Sequence, residues 1–246
     1  MQIFHCGQCG HVAFFDNVQC LHCGAVLAFV PEAEAVQAVV PLEPAPADAL
    51  TALWQPLGEG QPRYRMCANR VNHQVCNFVV REDDPHELCV ACRQTQIQPD
   101  LSVPGNLLRW QKIEAAKRQL FYTLAKLGVP PYAPEWWPSY QFLADVPGEP
   151  PVLTGHANGI ITLNTAEADD DERARRRVEL HEPYRTLLGH LRHESGHFYW
   201  DRMVRDGGEL ESFRALFGDE QQDYQQALQQ HYQSPPDFAR WSASHV

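Results

Sequence analysis

Residues 187–201 read LLGHLRHESGHFYWD, with two histidines four positions apart and a glutamate directly after the first. On a helix, His193 and His197 project from one face, one turn apart, so both imidazoles can reach a zinc ion at about 2.0–2.1 Å. Glu194 lies beside them and can accept a proton without being a ligand. The pattern predicts a zinc hydrolase site, in which zinc lowers the pKa of a water molecule and Glu194 is the general base. A solvated helix face is the alternative interpretation.

Two histidines do not complete a catalytic zinc site, and the sequence leaves the third ligand open. His190 shares the face, but seven residues from His197 correspond to about 10.5 Å along the helix. Asp201, one turn beyond His197, suits an acceptor that orients an imidazole, or a plain surface carboxylate. Asp219 and Glu220 have the best separation from His197 among the later candidates. The others are Glu209, Glu211 and His231.

The residues before the motif predict strands followed by a long helix. Residues 139–164 contain the strand-like runs YQFLADV, PVLT and GIITLN, and Asn158–Gly159 before the last run is typical of a hairpin turn. The motif helix is expected to begin near Pro183 and to end at Gly207–Gly208, with two shorter helices after it. A hairpin next to this helix would offer a sheet edge to an extended peptide.

A further helix is predicted over residues 106–127. Ile113, Leu120 and Leu124 recur at helical spacing, and Gly128 with the following prolines supplies the end. We interpret the basic residues between them as a solvated face.

The N-terminal 30 residues predict a zinc ribbon. Two CxxC pairs, ten residues apart, supply the four cysteines Cys6, Cys9, Cys20 and Cys23. Each pair aims two thiolates at one point, and together they close a tetrahedral set with no open position for chemistry. A structural zinc is therefore expected, with reactive or redox thiols as the alternative.

A second set of four cysteines follows: Cys67, Cys76, Cys89 and Cys92. The last two form a CxxC pair, whereas the first two are nine residues apart. The even count favours a second structural zinc that is held by all four thiolates. Replacement of Cys67 by His73 in this set is the alternative.

Charge and hydropathy narrow the class of protein. The net charge is −11, and no lysine or arginine precedes Arg63, so a nucleic-acid surface in this region is not expected. No apolar run is long enough to span a bilayer, and the N-terminus lacks the order of a secretory signal. We therefore predict a cytoplasmic protein with reduced cysteines and no membrane partner.

These observations predict an α+β fold with four segments. Residues 1–30 are the zinc ribbon, and residues 31–62, with five acidic residues and six prolines, are expected to be a weakly ordered linker. Residues 63–100 are the second four-cysteine module. Residues 101–246 are the domain with a short antiparallel sheet and the HExxH helix.

The sequence resembles the zinc-ribbon-containing, zinc-binding metallopeptidases of bacteria over nearly its whole length. Apart from the ribbon, the resemblance is carried by YRMCANRVNHQVCNF, LCVACRQTQIQPDL, GNLLRWQKIEAAKRQLFYTLAKLG, TGHANGIITLNTAEADDDERARRR, EPYRTLLGHLRHESGHFYWD and FRALFGDE. It implies a zincin-like domain with His193 and His197 as zinc ligands and Glu194 as the catalytic residue. It also implies a peptide or protein substrate.

The resemblance departs at the end of the chain. Members of this family continue past the segment ARWSASHV, residues 239–246, into a helix where a glutamate would be the natural third ligand. Two functions are therefore consistent with the sequence. The first is a zinc peptidase whose two cysteine modules dock substrate or a protein partner. The second is a non-enzymatic zinc-ribbon adaptor whose HExxH site is incomplete.

Overall fold

The computed structural model describes residues 2–44, 46–179 and 185–233. The chain divides into a unit of residues 1–198 and a unit of residues 199–246. The strands are β1 Phe4–His5, β2 Val12–Ala13, β3 Leu27–Val30, β4 Ala35–Pro41, β5 Leu53–Pro56, β6 Tyr64–Met66, β7 Val79–Arg81, β8 Thr95–Ile97, β9 Ser139–Leu143, β10 Gly155–Ala157 and β11 Ile160–Asn164. The helices are α1 Ala68–His73, α2 Asn106–Lys126, α3 Asp170–Glu179, α4 Leu187–Trp200, α5 Leu210–Phe217 and α6 Tyr224–Gln233. The predicted mixture of helix and sheet is confirmed.

A five-stranded antiparallel sheet, in the order β3-β4-β5-β6-β7, runs through both cysteine modules. The prediction of a weakly ordered linker over residues 31–62 is wrong in this respect, because β4 and β5 lie within it. Val36, Ala38 and Val39 are buried there. Their apolar side chains pack into the core, and this outweighs the acidic and proline-rich composition that flanks them.

The two modules are also joined by hydrogen bonds. Phe29 donates its backbone N–H to the carbonyl of Asn77 at 2.8 Å. The guanidinium of Arg70, on α1, donates to the carbonyl of Leu27 at 2.8 Å and to that of Val18 at 3.3 Å. The ribbon and the second module therefore pack as neighbours.

Helix α2 confirms the predicted helix over residues 106–127 to within one residue, and it packs against the cysteine modules. The ring centroids of Phe78 and Phe121 are 5.6 Å apart, and Phe121 stacks on Trp137 at 4.4 Å. The expectation of a solvated basic face is wrong for Lys117 and Arg118, which are buried. Each has a polar partner from another element, and this makes burial of its charge possible.

The other main sheet has four strands in the order β10-β11-β9-β8. Strands β10 and β11 form the predicted hairpin, and Asn158 and Gly159 have positive φ angles of 49° and 79° in its turn. The first strand of the hairpin is Gly155–Ala157 rather than the PVLT run before it. The pairs β11–β9 and β9–β8 are parallel. Helix α2 is the crossover from β8 to β9, whereas residues 144–159, which include β10, connect β9 to β11.

The predicted start of the motif helix near Pro183 lies outside the described residues. Regular α-helix ends at Trp200, and a π-helical turn, Asp201–Arg205, follows before Gly207. The two shorter helices expected after it are α5 and α6. None of the described helices is both long and apolar enough to cross a bilayer.

Candidate functional site

Helix α4 has one buried face and one exposed face. Leu191 and Phe198 are buried, and Leu191 packs with Ile161 and Leu163 of β11 in one apolar core. His193 and His197 lie on the exposed side. The packing of the apolar face therefore holds the backbone of the motif, while both imidazoles remain accessible.

The two imidazoles converge on one point. Their Nε2 atoms are 3.1 Å apart, and the ring planes are inclined by 81°. Two nitrogen ligands at about 2.0–2.1 Å from a tetrahedral zinc are themselves about 3.3 Å apart. The pair therefore fits the binding of one zinc ion by His193 and His197.

Glu194 is buried between this pair and the core, with 8% of its surface exposed. Its carboxylate forms no hydrogen bond or ion pair with the part of the chain that the structure describes. Neither of its carboxylate oxygens is among the fully buried side-chain atoms that lack a hydrogen-bond partner. Packing of the residue therefore fixes Glu194 next to the histidines without enclosing an unpaired charge.

The β10–β11 hairpin packs against the same helix. The ring of His156 in β10 lies 6.0 Å from that of Phe198, the residue after His197. A Cβ atom on Gly159, at the turn, would lie 3.8 Å from the Phe198 ring. Among the described strands, β10 is at the edge of its sheet, so its outer backbone groups can accept a further strand.

No third metal ligand joins the histidine pair within residues 2–44, 46–179 and 185–198. His190 is therefore not part of the group in this structure. In the second unit, Asp201 pairs with Arg205 at 2.8 Å. Glu220 binds Arg214 through both carboxylate oxygens, at 2.6 and 2.9 Å, and this lowers the pKa of Glu220 to about 2.

The other later candidates for a third ligand have no established role. Asp219 accepts a hydrogen bond from the backbone N–H of Gln221 at 2.9 Å. Glu209 and Glu211 lie at the start of α5. The side chain of His231 lies outside the described residues.

Both cysteine sets form compact clusters. The Sγ atoms of Cys6, Cys9, Cys20 and Cys23 lie within 4.8 Å of one another, and so do those of Cys67, Cys76, Cys89 and Cys92. The closest Sγ pairs are 3.7 Å apart, and four thiolates at about 2.3 Å from one zinc are about 3.8 Å apart. Each cluster therefore fits one zinc ion.

The second cluster includes Cys67 and not His73, whose ring instead lies 5.4 Å from that of Trp110. All four of its cysteines are buried. Burial raises the pKa of the Cys89 thiol well above its ordinary value, because a thiolate loses its hydration there.

Sequence reasoning missed a buried cation beside this cluster. Burial lowers the pKa of Arg118, but the negative charges of Cys76 and Glu114 more than offset that effect. The same guanidinium donates to the carbonyl of Val75. In the sequence, Arg118 lies two residues before the apolar pair Leu120–Phe121, and this position was the available indication that its side chain is buried.

Comparison with known proteins agrees with this arrangement. A family described as "zinc-ribbon domain" matches residues 3–103, and one described as "Putative zinc-binding metallo-peptidase" matches residues 106–246. No solved structure matches the chain.

Three relatives, one from Mycobacterium bovis and two from strains of Mycobacterium tuberculosis, carry the printed name "Uncharacterized protein". Each is 36% identical over 241 residues, which cover 96% of this chain and 64% of the relative. The chain thus spans less than two thirds of their length. It belongs to the zinc-binding metallo-peptidase family matched by residues 106–246, with a zinc-ribbon domain before that region.

Proposed function

We propose that the chain carries the catalytic centre of a zinc-dependent peptidase, with His193 and His197 as metal ligands and Glu194 as general base. One observation carries the proposal: two imidazole nitrogens 3.1 Å apart share a helix with Glu194, the glutamate that follows the first histidine.

Each residue has a distinct role in this proposal. Zinc held by His193 and His197 would supply a Lewis acid that polarises a carbonyl and lowers the pKa of water toward about 7. Glu194 accepts a proton from the attacking water and returns it to the leaving amine.

The edge strand supports a peptide as the substrate. Gly155–Ala157 pairs only with β11 among the described strands, so its outer N–H and C=O groups can hydrogen-bond an extended chain. Because the hairpin contacts Phe198, a peptide paired with β10 would lie beside the histidines.

The remaining features complete the proposal. The two cysteine clusters are structural zinc sites, and the ribbons dock substrate or a protein partner. We propose the cytoplasm as the compartment, because it keeps such thiols reduced. We propose residues 101–246 as the peptidase domain.

Zinc content and turnover test the proposal together. We expect about three zinc ions per chain, and about two in the double variant His193→Ala/His197→Ala. Inductively coupled plasma mass spectrometry measures the zinc content. Glu194→Gln should keep about three and lose at least about 100-fold of peptide hydrolysis, measured on a peptide library. His190→Ala is the matched control on the same helix and should keep the third zinc.

The adaptor hypothesis gives the opposite result. It predicts about two zinc ions in the unmodified chain, unchanged in the double histidine variant, and no hydrolysis of any library peptide. Three zinc ions with full activity in Glu194→Gln would instead keep the metal site and reject Glu194 as the base.

A further inference from the structure

A second concave site lies on the same unit, away from the histidine pair. It is a cleft of about 640 Å³ between the zinc ribbon, α2 and α4. This volume is within the range of about 300–1,000 Å³ that is usual for ligand pockets. The side chains used in the argument are Phe14, Phe15, Tyr122, Leu188 and Arg192.

Helix geometry separates this cleft from the proposed catalytic centre. Leu188 and Arg192 are four residues apart, so they share one stripe of α4. At about 100° per residue, the stripe that carries His193 and His197 lies about 140° away around the helix axis. A ligand in the cleft therefore contacts another side of the helix than a ligand at the histidines.

The walls of the cleft are aromatic and partly accessible. Phe14 is 47% exposed, although it is a large apolar side chain. Phe15 and Tyr122 pack against each other, with ring centroids 5.3 Å apart, and both are partly exposed. Exposed aromatic rings in a concave site offer area for a planar or large apolar group.

The charges at the cleft favour an anion. Asp16 is compensated, because its carboxylate lies 3.6 Å from the guanidinium of the buried Arg118 and accepts a hydrogen bond from Gln119 at 2.9 Å. Arg192 is exposed, and it forms no ion pair or hydrogen bond with the described residues. The uncompensated charge of the cleft is thus a guanidinium, which binds carboxylates through two parallel hydrogen bonds.

We propose that this cleft binds a peptide segment that joins a large apolar side chain, preferably aromatic, to a carboxylate. The rings of Phe14, Phe15 and Tyr122 receive the apolar group, and Arg192 pairs with the carboxylate. The site acts as a docking site for a protein partner that carries such a segment. It does not depend on the proposed peptidase activity.

Fluorescence polarisation tests this proposal on the zinc-loaded chain with Glu194→Gln, which prevents hydrolysis of the probe. The probe is fluorescein-labelled Gly-Ser-Gly-Phe with a free C-terminus. Two further labelled peptides distinguish a terminal carboxylate from a side-chain carboxylate. They are the same peptide as its C-terminal amide and the C-terminal amide of Gly-Ser-Gly-Asp-Phe. We expect the first amide to bind about tenfold more weakly than the free acid.

Variants locate the site. Arg192→Gln and Phe14→Ala should each weaken binding of the free acid by about tenfold. Arg63→Gln and Leu21→Ala are the matched controls, since Arg63 lies outside the cleft and Leu21 is an exposed ribbon residue that does not line it. Both controls should bind as tightly as the parent chain, and all variants should retain their zinc content and circular dichroism spectra.

Three results would overturn the proposal. The first is equal affinity in Arg192→Gln and its parent, or no binding of any probe at millimolar concentration. The second is loss of binding in His193→Ala/His197→Ala with binding kept in Arg192→Gln, which would place the peptide at the histidines. The third is a dimer in sedimentation that Arg192→Gln dissociates, which would make a second copy the occupant. If the probe binds but the unmodified chain hydrolyses no peptide, the proposed peptidase activity is rejected and the proposed docking site is kept.

Discussion

Glu114 and Lys117 form an ion pair in which both side chains are fully buried. The Nζ atom of Lys117 lies 2.9 Å from a carboxylate oxygen of Glu114. Thr95 donates a hydrogen bond to the other oxygen at 2.8 Å, and the indole N–H of Trp110 donates to it at 3.3 Å. The pair therefore connects α2 to β8 inside the core, where each charge depends on the other.

Lys117→Met should destabilise the first unit by about 3–5 kcal/mol, because it removes the ion-pair partner of the buried carboxylate of Glu114. Urea unfolding of the zinc-loaded chain, followed by circular dichroism, measures this cost. Lys112→Met is the matched control on the same helix. Its ion pair with Asp170 is exposed, so its cost should be below about 1 kcal/mol.

The cost of Lys117→Met should depend on pH. Burial raises the pKa of Glu114, and Lys117 opposes this effect, so the variant raises the pKa further. An acid whose pKa is higher in the folded state loses stability as pH rises through that pKa. We therefore expect a smaller cost at pH 6 than at pH 8. Adding Glu114→Gln, which keeps an acceptor for Thr95, should remove the pH dependence, and its persistence would assign it to other groups.

At the scale of the element, the β10–β11 hairpin depends on one backbone conformation. Gly159 has a φ of 79°, which residues with a Cβ atom rarely adopt. Gly159→Ala should therefore destabilise the first unit by about 1–2 kcal/mol. The substituted Cβ would be at ordinary contact distance from Phe198, 3.8 Å, so the cost comes from the backbone and not from a clash. Thermal unfolding measures it.

Gly155→Ala is the control in the same hairpin. Gly155 does not have a positive φ, and nothing lies within 4 Å of an added Cβ atom. Its substitution should change the stability by less than about 1 kcal/mol, in the direction of stabilisation. Equal losses in the two variants would show that the turn conformation is not what stabilises the hairpin.

The sequence predicted those elements that local patterns determine. Helix α2, the Asn158–Gly159 turn and the cysteine clusters follow from spacing and turn chemistry. It did not predict β4 and β5, because the acidic and proline-rich composition of residues 31–62 favoured a linker, although the apolar run AVQAVV at residues 35–40 forms a hairpin with the preceding strand β3. The burial of Lys117 and Arg118 was also missed, since their partners Thr95 and Val75 come from other elements.

The candidate site was likewise predictable from the sequence only in its local part. The one-turn spacing of His193 and His197 is a local property, and their Nε2 atoms do converge. Completion of a zinc site by a third ligand needs a contact that is distant in sequence. No periodicity or motif of this chain specifies such a contact, and the family membership does not name a residue for it.

For the molecule as a whole, the cysteine clusters and α2 share one core within the first unit. Cys6 and Cys20 of the ribbon lie in the same apolar cluster as Cys76, Cys89, Phe121 and Trp137. The ribbon is therefore not an appendage of the peptidase region in this unit. Loss of zinc from one cluster should disturb the packing of α2, and through α2 the sheet that supports the histidine helix.

The two zinc clusters should nevertheless differ in their effect on stability. Cys76 is 3% exposed and belongs to the core that includes α2, whereas Cys9 is exposed at the tip of the ribbon. Cys76→Ser would place an unpaired hydroxyl in an apolar core and remove one of the negative charges that face Arg118. A serine at position 9 would still reach solvent.

Cys76→Ser should therefore lower the melting temperature by at least roughly twice as much as Cys9→Ser. Circular dichroism at 222 nm, with zinc content measured in parallel, tests this order, and an equal or reversed order would show that the ribbon cluster holds the shared core.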